Sequence, residues 1–459
     1  MENEGINNIC GPTSPPCLNY QGNTPYMSSL ANNYTLTLQY TSVYCQPKVS
    51  SCGLESQPNY IALIGGSTFT CSPTCPKNLP SPTVLDRLQA SGLTWKAYME
   101  NQTPTQGCDT SNHPPYNTDH NPFVNFAEFV SNGVPNSTLC NKIVLANPSS
   151  CGSTTDCILI NDLNSFTVPN FMWLTPNDCN NMHASSVCTT QNGYNGCTTP
   201  SSSACIRGGD NYIASLVPNI LNSRTFTTTR SALFITFDEG QDYCPLTGKS
   251  GEDCLYTIWA GPAAKTGGYT STTQYNHYSF LKTVENNWNL PGLTFNDANA
   301  SPMTGFFKQP PPDFTITSPT SSVTIDKGDS SSLTLTFESL NGFRGNLTLS
   351  TLMNPQGPLA TLSPSSVLLT LQGNSSVLTI IVPSNATSGN YTLTVNAQNG
   401  SLARNTNITI TIPDVSVGGI ILPSDKFALA IQILPLTVLT FAVLEVAITA
   451  RNQILNRRR

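Results

Sequence analysis

The sequence predicts an α/β layered fold, followed by a small β-sandwich and one transmembrane helix. Three observations carry that reading. Through about residue 307, short apolar runs alternate with helix-periodic segments. Residues 313–413 switch to a two-residue period. Phe427 to Ala450 is almost unbroken apolar sequence, long enough for a bilayer core that needs about 20 residues as a helix.

In the first region, Val84 to Ala90, Tyr212 to Leu221 and His277 to Trp288 have helical spacing; Tyr278, Leu281, Val284, Glu285 and Trp288 follow i, i+3, i+4. Ile158 to Ile160, Phe171 to Leu174, Leu233 to Phe237 and Tyr256 to Ala260 read as short buried strands. Residues 1–307 are thus one large layered domain with helices on both faces of its sheet. Residues 308–312, with three consecutive prolines, form a stiff linker. In 313–413, Leu333, Leu335 and Phe337 alternate with threonines, as do Tyr391, Leu393 and Val395, then Ile408, Ile410 and Ile412. That pattern predicts an antiparallel sandwich serving as a spacer or adhesion module. A juxtamembrane linker, 414–426, leads into the helix at 427–450 and a basic tail at 451–459, with Glu445 near the inner end beside Arg451. The arginine tail belongs in the cytoplasm and everything upstream outside, a single-pass protein of the cell membrane.

Cysteine usage points to the same compartment. All 16 cysteines precede residue 255, and none has the CxxC spacing of a zinc site, so disulfides outside a reducing cytosol are expected. Their pairing is not legible. A charged fraction of only 10 % and sequons at Asn33, Asn101, Asn136, Asn346, Asn374, Asn385, Asn390, Asn399 and Asn407 fit an exported glycoprotein. The net charge of −6, without a basic cluster before the C-terminus, excludes a nucleic-acid partner. No feature points to a protein partner.

The chemistry centres on Phe234-Ile235-Thr236-Phe237-Asp238-Glu239-Gly240, an apolar run ending in two adjacent carboxylates. Such a pair at a strand end repels itself unless a cation or a shared proton relieves it. Four further segments stand out: Ser56-Gln57-Pro58-Asn59-Tyr60; Asp119-His120-Asn121-Pro122-Phe123; Thr175-Pro176-Asn177 leading through Asn181 to His183; and Tyr275-Asn276-His277-Tyr278-Ser279. Each alone reads as well as a helix cap or a turn residue.

Together with Met1-Glu2-Asn3 they resemble the phosphoesterase family of acid phosphatases and bacterial phospholipases C, within the alkaline-phosphatase superfamily. The resemblance spans roughly residues 1–307, with all six motifs in order. It implies an alkaline-phosphatase-like layered sheet and a phosphate-ester substrate. It assigns Ser56 as the nucleophile that becomes phosphoserine, and Asn59 as the residue steadying a phosphoryl oxygen. Glu2, Asn3, Ser56, Asp238 and Glu239 would bind one divalent metal ion (Ca, Mg, Mn or Zn); this oxygen-only set favours a hard cation. His120, His183 and His277 would face the phosphate or the leaving group. His113 has no motif around it and belongs elsewhere, in a loop. Residues 313–413 are similar to immunoglobulin-like modules.

Two departures from the family pattern carry expectations. Relatives have aspartate where this chain has Asn181, which implies a one-metal site. The family's first apolar strand precedes Glu-Asn, whereas this sequence opens at Met1; that strand and a signal peptide are expected upstream, and the chain as given is expected to fold or bind metal less well. Two alternatives stand beside the acid-phosphatase reading. One is a phospholipase C acting on lipid head groups, the other a catalytically weak surface or adhesion protein on the same scaffold.

Overall fold

The computed structural model describes residues 1–11, 16–18, 22–44, 55–69, 71, 75–240, 244 and 253–414. The predicted transmembrane helix and its flanks lie outside them; among the described residues no helix is long and apolar enough to cross a membrane. The chain divides into two compact units, Met1–Lys308 and a second that begins at Gln309.

The first unit is mixed α/β. Strands β1 (Trp95–Met99), β2 (Ile143–Leu145) and β3 (Phe171–Thr175) make a parallel sheet in the order β2-β1-β3. Strand β4 (Leu233–Ile235) pairs antiparallel with β5 (Ile258–Ala260), and other short strands form two-stranded pairs. The described strands are thus a set of small sheets rather than one continuous sheet. Strands of two to five residues cannot carry a long ladder.

Helices α1 (Ser56–Gly65), α2 (Cys157–Asn164), α3 (Ser203–Leu221) and α4 (His277–Trp288) flank these strands. Helix α1 follows a simple logic: Tyr60, Ile61, Leu63 and Ile64 are buried, and Gly66 stops the helix in the left-handed region (φ 70°). In α4, Asn276 caps the first turn, accepting from the Tyr278 and Ser279 amides.

One element differs in type from the sequence reading. Residues 158–160 belong to α2, with Leu159 and Leu163 buried four residues apart. A three-residue apolar run has no periodicity of its own, and here it falls in the first turn of a helix that begins at Cys157, the residue tied to Cys151 by a disulfide. The described cysteines form seven disulfides. Six close loops of 4 to 10 residues and Cys108–Cys140 spans 32, so most act as local staples. The sequon at Asn101 is not an open acceptor. Its side chain accepts from Asn147 (3.1 Å) and Asn177 (2.7 Å) and donates to Tyr194.

The second unit is β-rich. Its strands are β6 (Asp313–Thr317), β7 (Ser322–Thr324), β8 (Ser330–Leu340), β9 (Gly345–Asn354), β10 (Leu359–Ser363), β11 (Ser366–Leu369), β12 (Asn374–Ile381), β13 (Gly389–Asn399) and β14 (Leu402–Ile412). They form a four-stranded sheet, β6-β8-β12-β10, and a five-stranded sheet, β7-β14-β13-β9-β11. Alternate residues such as Leu335, Phe337, Leu393, Val395, Ile408 and Ile410 enter one core shared by both sheets. Pairing is antiparallel except at β7, which joins β14 in parallel. This short edge strand runs alongside β14 instead of returning through a hairpin.

Candidate active site

The residues just after β4 shape the acidic loop. Phe237 is buried, and the next two residues turn back toward the first residues of the chain. The Met1 amino group donates to the Thr236 carbonyl (3.2 Å), and the Asp238 amide donates to the Met1 carbonyl (3.1 Å). The Asn3 amide then donates to Asp238 Oδ1 (3.1 Å), with Asn3 at φ 61°. Gly240 comes next because nothing larger fits: a Cβ there would lie 2.8 Å from Leu255 Cδ2 and 3.2 Å from Gly5 Cα. Asp253 ties this loop to a neighbouring one, accepting from the Gly240 amide (3.1 Å) and the Ser42 amide (3.3 Å).

Glu2 lies fully buried at the centre. Its Oε2 accepts from Ser56 Oγ (3.0 Å), and its Oε1 accepts from the Tyr60 hydroxyl. Ser56 is the first residue of α1 and Tyr60 lies one turn on, so both reach Glu2 from one helix face. The Tyr60 ring stacks on His120, centroids 5.4 Å apart. His120 Nε2 lies 3.3 Å from Glu2 Oε2, and His120 Nδ1 lies 3.1 Å from Asp178 Oδ1. Neither approach is aligned as a hydrogen bond. Burial, then the negative charge of Asp238, pushes the Glu2 carboxyl well above its ordinary range.

His183 is the open member, 34 % exposed against 2 % for His120. Its amide donates to Asn181 Oδ1 (2.8 Å) and its Nδ1 meets the Ala184 carbonyl at 3.0 Å. A carbonyl only accepts, so Nδ1 carries the proton and Nε2 presents a lone pair. The two imidazoles meet edge to face at 5.1 Å.

Glu2, His120 and His183 can each offer a ligand atom within 4.8 Å of the others, and this group could hold a metal ion. The buried polar atoms favour one: Asn3 Oδ1, Asp238 Oδ2 and His120 Nε2 all lack a hydrogen-bond partner. Two buried carboxylates, Glu2 and Asp238, also stand side by side. Instead of the oxygen-only set expected from the sequence, the donors mix carboxylate, amide oxygen and imidazole. That widens the choice toward borderline metals.

Three sequence assignments are placed differently. His277 does not face an open side: it is fully buried, Nε2 donates to the Asp238 carbonyl (2.6 Å), and Nδ1 accepts from the Tyr40 hydroxyl (3.2 Å). Burial pushes its pKa down to about 4, so it is a neutral strut under the acidic loop. Asn59 is likewise turned inward. Its Oδ1 accepts from the Val43 and Tyr44 amides (3.0 Å each) and its Nδ2 donates to the Glu55 carbonyl (3.1 Å), which anchors a loop to the start of α1. Glu239 spends Oε2 on the Glu55 amide (2.9 Å), at the N-cap of α1. His113 lies in a loop paired with Asp109 (2.7 Å).

Sequence reasoning missed Tyr60 and Asp178. Tyr60 carries a signal in retrospect, four residues after Ser56 on a helix. Asp178 follows the Thr-Pro-Asn motif directly, and its other oxygen lies 3.8 Å from His183 Nδ1. A carboxylate therefore stands beside both histidines although position 181 is asparagine.

An α/β scaffold thus gathers a serine, a buried carboxylate and two histidines from distant segments. The phosphoesterase family profile matches residues 18–291, and the chain belongs to that family. A probable acid phosphatase of Kluyveromyces lactis is 26 % identical over 256 residues, 54 % of this chain and 51 % of the relative. The phosphate-repressible acid phosphatase of Penicillium chrysogenum is 27 % identical over 255 residues, 54 % and 52 % of the two chains. A phosphatidylinositol-3-phosphatase of Mycobacterium tuberculosis is 25 % identical over 282 residues, 61 % and 74 %. The chain spans about half the length of the two acid phosphatases it matches.

Proposed function

We propose that this protein hydrolyses phosphate esters, in the manner of acid phosphatases, through a phosphoserine at Ser56. The observation that carries the reading is the 3.0 Å hydrogen bond from Ser56 Oγ to Glu2 Oε2, at the N-terminus of α1 and beside His120. Glu2 Oε2 takes the hydroxyl proton as Ser56 Oγ bonds to phosphorus and the ester P–O bond breaks. The leaving oxygen departs on the exposed side, beside His183, and takes its proton from solvent water. Water then attacks phosphoserine, releasing inorganic phosphate and restoring the Ser56 hydroxyl. The first helical amides of α1 favour the phosphoryl oxygens. Glu2, Asn3, Asp238, His120 and His183 would hold a divalent cation, which would neutralise charge and make a serine hydroxyl more acidic.

His277, Asn59 and Glu239 act in this scheme by holding the acidic loop and the start of α1. The seven disulfides support action outside a reducing cytosol, and the apolar run at 427–450 supports attachment to the cell membrane. Ser56→Ala tests the reading. Turnover of an aryl phosphate should disappear with the thermal midpoint unchanged, and a variant keeping most of the wild-type rate would refute it.

A further inference from the structure

The segment from Asn177 to His183 has no regular structure, yet it carries Asp178, Asn181 and His183. Met182 (φ 83°) and Ala184 (φ 80°) flank His183 in the left-handed region. Residues with side chains adopt that region only when their surroundings impose it. The Cys179–Cys188 disulfide is one constraint. The other is a buried carboxyl that the mechanism does not use.

Glu100 follows β1 and is 3 % exposed. Its Oε2 accepts from the Asn177 amide (3.0 Å) and Asn180 Nδ2 (2.9 Å); its Oε1 accepts from Asn180 Nδ2 (3.1 Å) and Asn147 Nδ2 (3.2 Å). Next to it, Asn101 Oδ1 holds Asn177 Nδ2 at 2.7 Å. Behind it stands Asp156, fully buried at the start of α2 with φ 47°, its Oδ2 accepting from the Tyr212 hydroxyl of α3. Both carboxyls are buried, and the charge of Asp156 disfavours a second negative charge on Glu100. Burial, then the charge of Asp156, holds Glu100 well above its ordinary range, and burial lifts Asp156 to about 6.

We propose that Glu100 is a positioning residue: it clamps the Asn177–His183 segment so that Asp178 and His183 stay aligned with Glu2 and Ser56. The geometry explains why four hydrogen bonds from three donor groups converge on one buried side chain. It also explains how two left-handed residues persist around His183. The catalytic consequence rests on the phosphoesterase reading; the clamp itself does not.

The test compares Glu100→Gln, Glu100→Ala and Asp156→Asn in the full chain, by amide hydrogen exchange and by kcat and KM for an aryl phosphate. Glutamine keeps one acceptor oxygen, enough for the Asn177 amide, but turns its amide nitrogen toward the Asn180 and Asn147 donors. Glu100→Gln should therefore fall between wild type and Glu100→Ala in exchange and in kcat. Asp156→Asn removes none of the four bonds to Glu100 and should keep kcat within about threefold of wild type. Glu100→Ala should speed exchange of residues 176–184 at least ~10-fold, with β1 and β3 unchanged, and lower kcat on the order of 100-fold with a smaller change in KM. Wild-type exchange and kcat in Glu100→Ala would overturn the clamp. Wild-type exchange of residues 176–184 in Glu100→Gln would overturn it too, and this comparison decides even where Glu100→Ala fails to fold. If wild type does not cleave aryl phosphates, the functional reading fails while the exchange arm still decides the clamp.

Discussion

Ser56 Oγ and Glu2 Oε2 meet at 3.0 Å across 54 positions of sequence. Between them they unite the start of α1 with the segment that hydrogen-bonds to the acidic loop. Glu2→Gln keeps the size of the side chain and removes its charge. Turnover of an aryl phosphate should fall by about 100-fold or more, as expected when a proton acceptor in the transition state is lost. Steady-state kinetics at saturating substrate reads this directly; a loss below about threefold would remove Glu2 from the mechanism.

Metal content should depend on the acidic loop. Elemental analysis of the wild type should give close to one divalent ion per chain. Asp238→Asn combined with Glu239→Gln should lose both the ion and activity, without recovery in added Ca²⁺, Mg²⁺, Mn²⁺ or Zn²⁺. Two firmly held ions would instead mean that Asp178 restores a second site.

Asp178→Asn should test the carboxylate shared by the two histidines. With Asp178 Oδ1 3.1 Å from His120 Nδ1, losing the charge weakens the orientation of that ring. We expect kcat to fall roughly 10- to 100-fold, as for other partners of metal-binding histidines, with the thermal midpoint nearly unchanged. A large loss of stability with full residual activity would make the contact purely structural.

Stability should fall as pH rises because of Glu285. Its side chain is buried in α4, and burial, then contact with Asp297, pushes its carboxyl from 4.5 up to about 8. The Lys282 ammonium at 4.0 Å only partly opposes this. Between those values the folded chain binds more protons than the unfolded one, so stability declines with rising pH across that window. Glu285→Gln should flatten the decline in thermal melts recorded from pH 5 to 8. A wild type whose midpoint rises through that range would contradict the assignment.

Gly240→Ala should destabilise the first unit by about 1–3 kcal/mol, because its Cβ would press on a fully buried Leu255 methyl at 2.8 Å and on the Gly5 backbone at 3.2 Å. Denaturant unfolding would measure it, and a neutral result would mean that the acidic loop can shift.

Much of the outline was legible in the sequence because it depends on local period and chemistry. Helix α4 follows from i, i+3, i+4 spacing and the Asn276 cap, and the second unit from its two-residue alternation. The residue types for phosphate chemistry were also visible, since serine, histidine and paired acids in a fixed order carry that signal. Residues 158–160 were not, because three apolar residues fit a strand or a helix turn equally well.

What only the tertiary structure decided is which side chains face one another. His277 and Asn59 occur in the motifs, yet their polar atoms are consumed by the Asp238 carbonyl and by the Val43 and Tyr44 amides. Asp178 and Tyr60 reach the centre because a loop and a helix face bring them there. Sequence order specifies residue chemistry and local conformation. Directional hydrogen bonds between segments far apart in the chain arise only when the fold sets their distance and angle, and those bonds separate a residue that can touch substrate from one that holds the scaffold.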